Sequence, residues 1–395
     1  MNMLSILPLQ RRSFGCGLSQ RGISLVETMV GLALGMLVVV VIFQVWGGFE
    51  DQKSRSVSGS SAQESGLLAL TQIEQDVRSA GAGLTDSAAF DCATTYSYYE
   101  SPNGTVSPAP GYSVNMSMVP VQITDGGAGS DTLTIKRGSD FLGALPATIT
   151  KAMPSSSSEL NLSSIAGFVD GDVVIAVDSA TGNCTVMLVT QVQGAALKLQ
   201  HNPGGTTTYN PTVSYQNAIN PPYTAAWPAY STGAKIIKVG QLISHAYTTN
   251  SSNNLVLTDL SNPAGSTTSF LASDIVKLKA QYGVASTVGG QRVDDWVSAT
   301  SATGWNVLDA VKIKKIKAVR LVIVARSSKM EISDIQPATT NCPSAVVNYG
   351  PCAWPDTVAD PAPVIDLRSD SNWRRYRYRV YQTIIPIRNV IWAGV

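Results

Sequence analysis

Residues 20–46 read QRGISLVETMVGLALGMLVVVVIFQVW. From Met29 to Phe43 there is no polar side chain, only Gly, Ala and larger apolar residues. Counted from Ile23 to Phe49, the segment is long enough to cross a bilayer. Arg11, Arg12 and Arg21 precede it, and residues 1–22 contain no acid. Basic residues followed by a long apolar run are a membrane-targeting pattern. Yet Glu27 sits two places before the fully apolar run. A carboxylate costs roughly 2.5–3.5 kcal/mol near a bilayer centre and less near its edge. A removable signal peptide needs a small-residue cleavage site after its apolar run, and Trp46-Gly47-Gly48-Phe49-Glu50 is a poor one. A plain anchor accounts for the length of the segment but not for Glu27.

Downstream, no proline occurs between Pro8 and Pro102, so nothing forces a break in a helix that starts near Ile23. Residues 50–66 are polar and include Gly59 and Gly66, a weak stretch for a helix. Beyond them Leu67, Leu70, Ile73, Val77 and Ala80 recur at three- and four-residue steps, the stripe of an amphipathic helix. Gln72, Gln75, Asp76 and Ser79 are assigned to its other faces. Gly81-Ala82-Gly83 is the expected stop, because glycine tolerates the left-handed cap. A continuous helix 23–80 would be about 87 Å long at ~1.5 Å per residue.

After Gly83 the pattern changes to period two and short β-branched runs. Expected strands are 131–137, 172–178, 184–190, 196–200, 254–258, 275–282, 318–325 and 376–381 with the segment that follows it. The connections are long. Residues 204–233 are rich in Thr, Asn, Pro and Tyr, and residues 335–366 hold six prolines with Cys342 and Cys352. Loops of that length are usually functional or disordered.

The chain has 395 residues, 44% hydrophobic and only 14% charged, with a formal net charge of +1. That balance suits an extracellular β-rich protein better than a cytosolic enzyme. Without the three arginines of residues 1–22 the +1 becomes −2, so neither form suggests a dedicated polyanion binder. Five cysteines are an odd number for an exported chain, but Cys16 lies within residues 1–22. The remaining Cys92, Cys184, Cys342 and Cys352 allow three pairings and show no metal-ligand spacing. Disulfides in an oxidising compartment are the better reading. Cys342–Cys352 would close a short Pro-rich loop and leave Cys92–Cys184 as the other pair.

Little in the chain points to catalysis. It has no Gly-x-Ser-x-Gly elbow, Walker loop or His-Glu-x-x-His helix, and only His201 and His245 as imidazoles. No cofactor or metal is expected. Asp170/Asp172 and Asp294/Asp295 lack the spacing of a known calcium loop and are read as solvated turn carboxylates. Arg374, Arg375, Arg377 and Arg379 interleave with Tyr376, Tyr378 and Tyr381, a pattern that would suit single-stranded nucleic acid. The plainer reading is a two-sided strand, with Tyr376, Tyr378 and Val380 inward and Arg375, Arg377 and Arg379 outward. Lys312-Ile-Lys-Lys-Ile-Lys317 is read in the same way, with its isoleucines facing the core.

The stretch Gly22-Ile23-Ser24-Leu25-Val26-Glu27 resembles the class III leader of type IV pilins and type II secretion pseudopilins. In that family a membrane peptidase cuts after the glycine, the new N-terminus is methylated, and the fifth mature residue is a glutamate. Ile23 stands where the family usually has Phe. The resemblance narrows to PilW-type minor pilins through Leu70-Thr-Gln-Ile-Glu-Gln-Asp-Val-Arg-Ser-Ala-Gly81, Gly129-Ser-Asp-Thr-Leu-Thr-Ile135, Ile275-Val-Lys-Leu-Lys-Ala-Gln-Tyr-Gly283, Ile316–Arg326 and, best of all, Arg377–Asn389.

It implies an α+β, pilin-like fold: a long N-terminal helix on an antiparallel sheet, with large loop-rich β insertions. It implies a cleaved leader (1–22), a helix (23–80, of which 23–49 is transmembrane and later filament core) and a β-rich periplasmic or extracellular domain (81–395). It implies that Glu27 meets the N-terminal amine of a neighbouring subunit. The expected partners are other minor pilins, the major pilin, a PilY-type tip adhesin, the inner-membrane assembly platform and the prepilin peptidase. The expected role is in pilus initiation and the tip complex, with the chain in the inner membrane first and the pilus afterwards. A minor pseudopilin of a type II secretion system, or a ligand- or DNA-binding module at a filament tip, is the alternative.

Overall fold

A computed structural model describes residues 22, 24–84, 86–92, 94–98, 112–114, 118–139, 144–154, 159–202, 209–210, 229–261, 266–343, 347–354 and 360–393. The chain divides into two units, Met1–Ser56 and Val57–Val395. Helix α1 (Leu25–Ser79) contributes to both. In the first unit its stretch Leu25–Glu50 is long and apolar enough to cross a membrane, and none of it is buried within the protein.

In the second unit the remainder of α1 is part of the main core. Ala62, Ala69, Ile73 and Val77 are buried, as is Ala80 just beyond it, in one cluster with Val121, Ile135, Leu278, Leu321 and Ile385. Leu67, expected on that stripe, is instead 47% exposed. Gly66 is buried in its place. A Cβ at Gly66 would land inside the ring of Tyr381, so this glycine lets the helix backbone lie directly against an aromatic side chain. The weak stretch in the sequence is therefore a packing contact. The helix stops at the expected glycines, with Gly81 and Gly83 at φ +74° and +79°. Gly81 N–H donates to Lys136 O at 2.9 Å, tying the stop to the sheet.

Four sheets are present among the described residues. Nine strands run in the order β2 (Tyr112–Val114), β1 (Thr94–Tyr98), β8 (Asn183–Leu188), β7 (Val173–Asp178), β11 (Lys235–Gly240), β5 (Ala147–Lys151), β6 (Glu159–Leu162), β10 (Lys198–Gln200) and β9 (Gln191–Gln193). Five run β14 (Thr267–Ala272), β13 (Leu255–Asp259), β12 (Leu242–Thr249), β4 (Thr132–Gly138) and β3 (Val121–Thr124). Four run β16 (Asp295–Val297), β15 (Ile275–Val284), β17 (Ile316–Arg326) and β20 (Tyr378–Pro386). β18 (Thr340–Asn341) and β19 (Val347–Asn348) form a ribbon. Pairing is antiparallel apart from β1 on β8.

The architecture is α+β, an N-terminal apolar helix with several antiparallel sheets. β7 and β17 are buried on both faces, which is why Val173–Val177 and Leu321–Ala325 read as unbroken apolar runs rather than alternations. On β17, Val319, Leu321, Ile323 and Ala325 join the cluster that contains α1. Val322 and Val324 point the other way, into a second layer made by Ala353, Ala362, Ile365, Leu367 and Trp373. The described part of the Pro-rich 335–366 segment is therefore largely a cover for the sheet. The 204–233 segment falls mostly outside the described residues.

Candidate functional site

The residues expected to act in assembly lie at the start of α1. Ser24 O accepts from the N–H groups of Glu27 (2.9 Å) and Thr28 (3.2 Å), which places Ser24 as the residue that opens the helix. Glu27 is exposed and in the first turn, where the helix dipole favours an acid. Gly22 is described but lies in no element, and Ile23 falls outside the described residues, as does the rest of residues 1–21. Trp46 is exposed near the far end of the apolar stretch, where an amphipathic ring suits a membrane–water boundary.

The four downstream cysteines come together as two pairs, Cys92 with Cys184 (Cα–Cα 5.5 Å) and Cys342 with Cys352 (5.7 Å). Both separations are within the range a disulfide spans.

The globular unit carries three buried polar clusters that periodicity alone did not reveal. In the first, Asp76 of α1 is 8% exposed and points into the β12 side of the core. It accepts from Tyr247 Oη at 2.6 Å and His245 Nδ1 at 2.5 Å. Burial pushes its carboxyl pKa up. The hydrogen bonds from His245 and Tyr247, with the charges of His245 and Arg137, outweigh burial and hold the pKa below its ordinary value. Burial, with Asp76 as acceptor, pushes the Tyr247 hydroxyl up. Asp76 was assigned to an outer face of the helix. The signal against that was present: Ala69, Ile73, Asp76 and Ala80 follow steps of four, three and four, which is one helix face.

The second cluster is on the outer layer of the four-stranded sheet. The Arg320 guanidinium lies between the rings of Trp296 (4.7 Å) and Trp354 (4.2 Å). It donates to Gln281 Oε1 at 2.6 Å and to both oxygens of Asp360, one at 2.7 Å. Trp296, Arg320, Trp354, Asp360, Gln382 and Ile384 line a cleft of about 520 Å³ there. The third cluster joins Lys279 on β15 to Asp131, just before β4. The Nζ–Oδ1 distance is 2.7 Å, with both side chains at most 5% exposed.

The arginine-rich ending is a clamp. Trp373–Arg375 is a 3-10 turn, and the strand begins only at Tyr378. Arg374 donates to Gln336 O (3.0 Å), Arg375 to Glu331 O (2.8 Å) and Arg377 to Glu331 Oε1 (2.9 Å). Arg375 is thus half-buried on a neighbouring loop rather than facing outward. Tyr378 and Val380 do pack inward against the cover layer, and Ile313 and Ile316 of the lysine-rich stretch are buried. Asp172 is not a solvated turn residue. It is 8% exposed, 3.1 Å from the buried Lys238, and accepts from Val169 N at 2.7 Å. Asp170 accepts from Val192 N, and Asp294 from Ser286 N and Arg292. Among the described residues no three His, Cys, Asp or Glu side chains cluster as metal ligands. His201 is buried, and burial pushes its pKa down to about 4.

No curated protein and no solved structure matches the chain. The family of type IV pilus-assembly protein W, PilW, matches residues 243–389. That span contains β13–β20, the Arg320 cluster, the arginine clamp and His245 and Tyr247, the two residues that hold Asp76. Over residues 243–389 the chain is thus similar to a family of pilus-assembly components.

Proposed function

We propose that the chain is a minor pilin of the type IV pilus, acting in initiation and in the tip complex. The observation that carries this reading is Glu27. It is an exposed carboxylate in the first turn of an unburied apolar helix, in a chain whose residues 243–389 match the PilW family. A lone charge at the edge of lipid is unfavourable, and a partner of opposite charge offsets that cost. The N-terminal amine of a neighbouring subunit, freed by cleavage between Gly22 and Ile23, is such a partner. The chain is first an inner-membrane protein with its β-rich part outside the cytoplasm. It then enters the pilus beside other minor pilins, the major pilin and a PilY-type adhesin. The pilin-like packing of α1 on an antiparallel sheet, and disulfides Cys92–Cys184 and Cys342–Cys352, belong to the same reading. Its role is structural, with no catalytic step.

The test is Glu27→Gln and Glu27→Leu in cells that lack the wild-type chain. Both variants should insert, lose residues 1–22 and form their disulfides, because Glu27 lies in the first turn of α1 and the four paired cysteines all belong to the other unit. Both should fail to co-purify with neighbouring pilins and should lower pilus number. Full piliation with Glu27→Leu would overturn the ion-pair account. Recovery of the chain with a secretion complex instead of pili would favour the pseudopilin alternative.

A further inference from the structure

The Lys279–Asp131 cluster holds more than an ion pair. β3 ends at Thr124, and residues 125–131 turn tightly into β4. Gly126 and Gly127 make the turn: a Cβ on Gly126 would collide with Ser130 O, and Gly127 sits at φ +58°. This fixes Asp125 and Asp131 on either side of the Lys279 amine. Lys279 Nζ is 2.7 Å from Asp131 Oδ1, 2.7 Å from Gly127 O and 3.5 Å from Asp125 Oδ1. Gly126 N–H donates to Asp131 Oδ1 at 3.0 Å and Ala280 N–H to Oδ2 at 2.9 Å. Amine and carboxyl are almost completely withdrawn from solvent, and Asp125 is 35% exposed.

We propose that Lys279 and Asp131 condense into an intramolecular isopeptide bond, with Asp125 as the proton carrier. Each requirement of the reaction has a residue. The reaction runs from the neutral amine and the neutral acid, which the ion pair reaches by passing one proton from nitrogen to carboxylate across their 2.7 Å contact. Burial pushes the Asp131 carboxyl pKa up, against the pull of Lys279 and the two N–H donors. The free pair on Nζ attacks Asp131 Cγ and a C–N bond forms. The two backbone N–H groups already aimed at the carboxyl oxygens stabilise the charge of the tetrahedral adduct, as an oxyanion hole does. Asp125 takes the proton from nitrogen and returns it to the departing oxygen. The C–O bond breaks and one water leaves. Amine plus acid gives amide plus water, with no oxidant or co-reactant. The fixed separation supplies the proximity a slow condensation needs. The bond would tie the entry of β4 in the five-stranded sheet to β15 in the four-stranded sheet, across 148 residues of sequence.

Mass spectrometry of the purified full-length chain tests this directly, and it does so whether or not the pilus reading holds. The intact mass should be about 18 Da below that of the processed, disulfide-bonded chain, the loss of one water. Digestion should release a branched peptide joining Lys279 to Asp131. Asp125→Asn preserves side-chain size and should return the full mass with an unchanged circular dichroism spectrum. Linear peptides carrying Lys279 and Asp131 in the wild-type chain would overturn the proposal, whatever the intact mass. A branched peptide persisting in Asp125→Asn would overturn the role given to Asp125.

Discussion

Replacing Asp76 by alanine tests how α1 is held by the globular unit. The carboxylate is 8% exposed and is the acceptor for Tyr247, which is fully buried, and for His245. Hydrogen bonds to a charged group contribute about 1.5–3 kcal/mol each, and an orphaned buried donor costs about 1–3 kcal/mol. Breaking a buried charged cluster by removing one member costs about 3–5 kcal/mol. Alanine returns at most ~0.7 kcal/mol of helix propensity. The net expectation for Asp76→Ala is a loss of about 3 kcal/mol, roughly a 150-fold change in an equilibrium constant. Tyr247→Phe should cost about 1–2 kcal/mol, and the double variant should fall short of the sum by about 1 kcal/mol. The assay is urea unfolding of the detergent-solubilised chain, with hydrogen exchange at residues 69–80 as the local readout.

The pH dependence has a definite sign. Asp76 has a folded pKa below its ordinary 3.8, so its contribution is complete above that value and is lost as pH falls through the folded pKa. The gap between wild type and Asp76→Ala should therefore be widest near neutrality and close at low pH. A variant within 0.5 kcal/mol of wild type at pH 7, on the order of an ordinary surface change, would refute the clamp.

Three further outcomes follow from the packing. Gly66→Ala should destabilise by about 1–3 kcal/mol, as overpacking does, although alanine is the better helix former; urea unfolding reads this, and a smaller side chain at Tyr381 should rescue it. Arg320→Lys keeps the charge but loses the two-oxygen grip on Asp360 and the stack between Trp296 and Trp354; unfolding should be easier by about 2 kcal/mol, with a shift in tryptophan emission. Non-reducing peptide maps should show Cys92–Cys184 and Cys342–Cys352. Removing the first pair, whose cysteines lie 92 residues apart, should cost about 4–5 kcal/mol in the chain-entropy model.

Much of this architecture was legible in the sequence, for identifiable reasons. The apolar run and the Gly81–Gly83 stop define α1 because hydropathy and left-handed glycines act locally. β4, β7, β13, β15 and β17 were visible because strand patterning is also local. What stayed hidden depends on contacts distant in sequence. Asp76 meets residues 169 and 171 positions away, and Lys279 meets one 148 away, so no window around either residue shows a partner. Gly66 read as a weak point because its reason is an aromatic ring on β20. The start of the last strand was set too early because Arg374 and Arg375 bond a loop some 40 residues upstream. The assembly residues differ again: Glu27 was legible as a misplaced charge, and its proposed partner lies on another molecule.

The most direct test of the central claim is mass spectrometry of the chain recovered with sheared, washed pili. The account predicts a chain that begins at N-methylated Ile23, lacks residues 1–22 and is present in the pilus fraction at far fewer copies than the major subunit. A chain that keeps residues 1–22 in cells with an active prepilin peptidase, or that stays wholly in the inner membrane while pili form normally without it, would contradict the account.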